Sequence, residues 1–124
     1  MTYMAIFEGK KHGIRRADLV AALERDWPSV VILERRGSQE SRAVVWSYGD
    51  AGQELEGYSH ADGTCIYLDS PLELAARFVL WFRRIVPQEV ELVFCDDSYS
   101  FSGIVRNNMA LAEVMEIAEG DVSL

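Results

Sequence analysis

Residues 70–86 constrain the fold of this chain more than any other stretch. Ser70-Pro71-Leu72-Glu73 is a helix-start signal: Ser70 suits the cap, Pro71 the first helical position, and Glu73 completes a capping box. The helix is expected to run to Ile85 or Val86 and to stop before Pro87. At 100° per residue, Glu73, Arg77, Leu80 and Arg84 fall on one narrow stripe. Leu72, Leu74, Phe78, Val79, Trp81, Phe82, Ile85 and Val86 fill the rest. So apolar a helix has to be covered by a sheet and by neighbouring elements.

The surrounding sequence supplies that sheet. Tyr3 to Phe7 reads as a first strand, ended by Gly9 and Lys10-Lys11. Arg15 to Asp26 is helical, with Leu19, Val20, Leu23 and Trp27 at helical spacing and Pro28 as the stop, although no cap residue marks its start. Val30 to Leu33 is apolar and β-branched, which predicts a buried strand, and Gly37 to Glu40 a loop. Arg42 to Tyr48 alternates, with Val44, Trp46 and Tyr48 on one face, and Gly49-Asp50-Ala51-Gly52 reads as a turn. Gln53 to Tyr58 and Thr64 to Leu68 form a hairpin pattern around Ala61-Asp62-Gly63, where Asp-Gly supplies the positive φ that such connections need. Glu91 to Cys95 is a strand with Leu92 and Phe94 on one face, and Tyr99 to Val105 alternates again. Asn107-Asn108 offers a cap for a last helix, Met109 to Glu119, whose apolar side is Leu111, Val114, Met115 and Ala118, with Gly120 after it. The order is β-α-β-β-β-β-α-β-β-α. Hairpins dominate, so the expectation is one α+β domain over residues 1–124, a mainly antiparallel sheet with helices packed against it.

The chain carries a net charge of −8 over 124 residues, and the charge is not spread evenly. Residues 1–42 sum to +2, residues 43–76 to −6 with no base at all, residues 77–88 to +3, and residues 89–124 to −7. Acidity of this size argues against nucleic acid or anionic lipid as the partner, since both call for a basic surface. The acids of the first block are Asp50, Glu54, Glu56, Asp62, Asp69 and Glu73. Glu54, Glu56 and Tyr58 share one face of a strand, and unpaired carboxylates there must face water. An aromatic beside acids on an exposed strand suits a basic protein partner. A solvated outer face is the ordinary reading of one such run; two runs in one small domain favour binding. The candidate contact residues are therefore Asp50, Glu54, Glu56, Tyr58, Asp62 and Asp69, with Asp96, Asp97 and Tyr99 as a second patch.

Signals for catalysis are sparse. No nucleophile elbow, zinc-protease motif, phosphate-binding loop or dinucleotide fingerprint occurs. His12 and His60 both read as loop histidines, and no cofactor, metal site or catalytic residue is expected. Asp96 and Asp97 lack the companion ligands that a metal requires, and an aspartate capping a turn is the commoner use. Cys65 and Cys95 read as reduced core thiols on strands, with a disulfide between adjacent strands as the alternative. The longest apolar run, Phe78 to Phe82, is too short to span a bilayer, and the N-terminal apolar stretch is too short for a signal peptide. A cytoplasmic location follows as an expectation.

Trp81-Phe82-Arg83-Arg84-Ile85-Val86-Pro87, then Glu91-Leu92-Val93-Phe94-Cys95-Asp96-Asp97-Ser98-Tyr99, then the helix at Ala110 to Ala118, resembles small acidic immunity proteins of bacterial toxin systems, including contact-dependent growth inhibition. The resemblance covers the last third of the chain. It implies a non-enzymatic inhibitor that binds a cognate toxin, often a nuclease with a basic cleft, and it assigns no individual residue. Two other classes fit the composition: a small enzyme or ligand-binding domain with a pocket between the sheet and helix 70–86, and a module that self-associates through sheet edges or its aromatic helix. The expected oligomeric state is a monomer or weak homodimer.

Overall fold

The computed structural model describes residues 2–8, 14–34, 42–50, 52–60 and 63–119. The elements are β1 (Thr2–Glu8), α1 (Arg16–Asp26), β2 (Val31–Glu34), β3 (Arg42–Asp50), β4 (Gln53–His60), β5 (Cys65–Asp69), α2 (Leu72–Ile85), β6 (Glu91–Asp96), β7 (Ser102–Val105) and α3 (Leu111–Glu119). This is the α+β order read from the sequence. The strands make one seven-stranded sheet, ordered β2-β3-β4-β5-β1-β6-β7, and every neighbouring pair is antiparallel.

β1 lies between β5 and β6, so those two strands run parallel and need a crossover, which α2 provides. α1 likewise carries the chain from β1 to the far edge at β2. Both crossovers land on one face of the sheet. The main core joins Leu19, Leu23 and Trp27 around α1, Leu74, Phe78, Val79 and Phe82 of α2 and Val114 of α3 to Tyr3, Ala5, Phe7, Val44, Trp46, Leu55, Leu68, Leu92 and Phe94 of the strands. Alternate strand residues point the other way, where Met4, Cys65 and Cys95 form a separate small cluster with Ile6 and Tyr67.

The core centres on aromatic rings. Trp46 stacks on Phe78 at 5.4 Å between centroids and 13° between planes. Its strand partner is Gly57, and the absence of a side chain there lets the indole lie over the β4 backbone. Trp27 meets Tyr48, Phe78 and Trp81, closing the junction of α1, β3 and α2. Trp81 Nε1 donates to Asp26 at 2.8 Å, tying α2 to the end of α1. Hydrogen bonds from Arg25 and then Trp81 pull the Asp26 carboxyl down to about 2.

Several local expectations are corrected. Val31 to Glu34 is an edge strand, not a buried one: Val31 is 65% and Leu33 53% exposed. An apolar run shows that a strand exists, but its place in the sheet depends on long-range pairing. Pro71 is the cap of α2 and Leu72 its first residue, with no side-chain cap bond; the Ser70 hydroxyl instead donates to the Pro71 carbonyl at 2.9 Å. β3 continues through Gly49 and Asp50, where a turn was expected, and Gly52 carries the positive φ of the connection. β7 starts only at Ser102, because Asp96 folds residues 97–100 into a turn. α3 starts at Leu111 instead of Met109, and Glu113 Oε1 accepts from the Ala110 amide at 2.8 Å, which replaces the expected Asn107-Asn108 cap.

Arg83 is not a surface charge. It is 2% exposed and donates to the carbonyls of Val90, at 2.6 Å, and Pro87, bracing the turn after α2. The expectations for Gly9 to Lys11, His12, Gly37 to Glu40, Ala51, Ala61-Asp62 and Gly120 lie outside the described residues. Among the described residues no helix is long and apolar enough to cross a membrane.

A Cβ at Gly57 would sit 2.5 Å from the Trp46 ring. Gly57→Ala is therefore expected to lower unfolding stability by about 1–3 kcal/mol through overpacking, read by urea denaturation. A variant as stable as the parent would show that this stack does not set the packing.

Candidate partner-binding face

The strand registers order the helix-free face into rows. One row runs Val31, Ser47, Glu56, Asp69, Thr2 across β2, β3, β4, β5 and β1. The next runs Leu33, Val45, Tyr58, Tyr67, Met4, Cys95, Ser102. A third places Cys65, Ile6, Val93 and Ile104 side by side. Glu54, opposite Gly49, lies beyond the first row. The face therefore grades from carboxylates near the start of α2 through tyrosines to aliphatic side chains.

Period-two alternation brings Glu54, Glu56 and Tyr58 together as expected, and the β4–β5 pairing adds Asp69 opposite Glu56. Glu54, Glu56 and Asp69 are exposed. Together with Tyr3, Ser70 and Pro71 they line a shallow cleft. A second cleft is lined by Gly49, Asp50, Gly52, Gln53, Glu54 and Pro71, so the two share Glu54 and Pro71. Four of the six first-block candidates thus ring the N-terminal end of α2, where the helix dipole offsets part of their mutual repulsion. Asp50 stands apart from the other three. Its strand neighbour Tyr48 packs on Trp27, two residues away on the same side of β3, and Asp50 itself meets Arg77 of α2 at 3.4 Å. Asp62 lies outside the described residues.

Sequence reasoning did not single out Tyr67, which stands beside Tyr58 on this face. Tyr58 and Tyr67 stack at 4.6 Å and 18°, both half-buried. The alternation of 65–69 already puts Tyr67 on the face of Asp69; the register that sets it against Tyr58 is a tertiary fact. A hydrogen bond with the Cys65 side chain, helped by burial, raises the Tyr67 phenol to about 12, and the nearby phenols of Tyr58 and Tyr99 add to that push. The Tyr67 ring therefore stays neutral at physiological pH.

The second patch divides. Asp97 and Tyr99 are exposed, Tyr99 to 64% and with a left-handed backbone at φ 56°. Asp96 is 2% exposed and turned into its own loop, where it accepts from the Ser100 amide at 2.7 Å and from the Ser100 hydroxyl. Those bonds hold its carboxyl below the usual range. It is the turn cap, and so it is not available as a contact.

The reactive groups do not gather. Cys95 faces the small cluster, His60 ends β4, and Asp96 faces the opposite side of the sheet from Cys95. The interface between α2 and the sheet is filled: Leu74, Ala75, Ala76, Phe78, Val79 and Phe82 are each at most 1% exposed. Among the described residues no three His, Cys, Asp or Glu side chains cluster as metal ligands. Both thiols are free. Strand β1 separates them, so their backbones are about 9–10 Å apart or more, beyond the ~7 Å reach of a disulfide.

The chain matches no protein-family model, and comparison with curated proteins and with solved structures finds no match.

Burial, and then the Asp96 charge, lift the Cys95 thiol to about 11. Alkylation by iodoacetamide in the folded state is expected to be far slower at Cys95 than in urea, and to stay slow up to about pH 9. Equal rates folded and unfolded would show that the cluster around Met4 is open.

Proposed function

We propose that the chain is a non-enzymatic immunity protein, which neutralises a cognate toxin by binding a basic surface of that toxin, with a nuclease domain as the expected class. The observation that carries the reading is the row of Glu54, Glu56 and Asp69 beside the stacked Tyr58 and Tyr67, on the face that no described helix covers. The net charge of −8 and the resemblance of the last third to acidic immunity proteins support it.

The physics divides the labour within the face. Carboxylates exposed to solvent add little to the strength of a bound state, but they speed the encounter with an opposite charge. The tyrosines offer rigid amphipathic area at small entropic cost, and their ring faces suit an arginine or lysine side chain flanked by acids. A nuclease cleft shaped to hold a polyanion presents such cations. Glu54, Glu56, Asp69 and Tyr58 are the contact residues, with Tyr67 added, and Asp97 and Tyr99 flank them.

The test is protection of growing cells. The chain is co-expressed with the domain encoded by the reading frame adjoining its gene, and survival and complex formation are scored. Expected are survival, a one-to-one complex, and an association rate that falls with salt. Glu54→Lys with Glu56→Lys is expected to slow association by about 10-fold or more and to flatten the salt dependence. Tyr58→Ala is expected to act mainly on dissociation. No protection, or a double variant that binds at the parental rate with the parental salt dependence, would overturn the reading.

A further inference from the structure

We infer that two copies of this chain associate weakly by pairing their β2 strands into one continuous sheet. This goes beyond toxin binding and does not rest on it. β2 is the last strand in the order β2-β3-β4-β5-β1-β6-β7, so among the described residues its outer backbone groups have no strand partner. Natural edges are usually guarded by a charge, a proline, a bulge or a covering helix. β2 carries a charge only at its last residue, Glu34; Val31-Ile32-Leu33 has neither charge nor proline, and its register with Ser47, Trp46 and Val45 is unbroken. Val31 and Leu33 are the most exposed large aliphatic side chains described, at 65% and 53%, and both stand on the helix-free face. At the opposite edge, α3 packs on the helix-side face of β7, with Ile117 against Gly103.

A second copy fits this edge by symmetry. Antiparallel pairing about a two-fold axis at Ile32 sets Val31 of each copy opposite Leu33 of the other, on the same side of the extended sheet. The exposed aliphatic pair thereby covers itself. Charge permits the contact: the first 42 residues sum to +2, and Glu54 and Glu56 lie two strands in from the edge. A basic partner would instead be drawn to those carboxylates, away from the aliphatic stretch of this edge. Size sets the strength. A stable dimer buries about 1,200–2,000 Å² in total, and one pair of four-residue strands supplies only part of that, so the dimer forms at high concentration.

Light scattering after size-exclusion chromatography, from about 5 μM to about 1 mM protein, tests this by mass action. The mass is expected to rise from 14.0 kDa towards twice that value, with 0.5 M NaCl leaving the rise unchanged or enhancing it. Leu33→Lys places a charge at a side chain that is already solvated, and is expected to hold the mass at one copy with unaltered circular dichroism. Amide exchange on the parent chain gives a readout independent of any variant: residues 31–34 are expected to gain protection as concentration rises. A parent that stays at one copy throughout, a Leu33→Lys chain that dimerises equally, or exchange at 31–34 that ignores concentration would each overturn the inference.

Discussion

The stack of Trp46 on Phe78, seated over Gly57, is the contact on which the rest of the structure depends. It fixes α2 against β3 and β4 by ring on ring, and Trp27 extends the same packing to α1. Each helix therefore buries its apolar side on one face of the sheet. The strands alternate, so whatever α1, α2 and α3 cover on that face leaves an equal set of side chains on the other.

That second set gives the molecule its surface character. Its carboxylates collect near the positive end of α2, its tyrosines lie in the middle, and its aliphatic side chains reach the β2 edge and the β6–β7 side. In the proposed reading, such grading separates steering by the carboxylates from anchoring by the tyrosines. Asp96 and Arg83 belong to another category. Both carry charge, and both spend it on backbone groups: Asp96 on the amide of Ser100, Arg83 on the carbonyls of Pro87 and Val90. Burial of a charge costs less when local groups bond to it; in the turns at the two ends of β6 the Asp96 carboxylate and the two terminal nitrogens of Arg83 are bonded in that way.

Local chemistry made most of the fold legible in the sequence. The α+β order, the two longer helices to within about a residue of their true starts and ends, and the faces of β3 and β6 follow from periodicity and from Pro28 and Pro87. Glu54, Glu56 and Tyr58 were legible as one face for the same reason. What was not legible depends on pairing between distant strands. β2 reads as buried because its residues are apolar, yet the sheet places it at an edge. Tyr67 reads as an ordinary strand residue until the β4–β5 register sets it on Tyr58. Asp50 lies four residues from Glu54, yet the β3–β4 turn sends it toward Arg77 on the helical side. Asp96 and Asp97 are neighbours in sequence, but one closes a turn and the other meets solvent.

The central claim is that recognition uses the face the helices leave open. Amide hydrogen exchange, compared between the free chain and its complex with the toxin domain proposed as its partner, tests this most directly. The account predicts slowed exchange over 54–58 of β4 and 67–69 of β5, with α1 and α3 unchanged. Slowed exchange confined to the helices, with β4 and β5 as in the free chain, would contradict it.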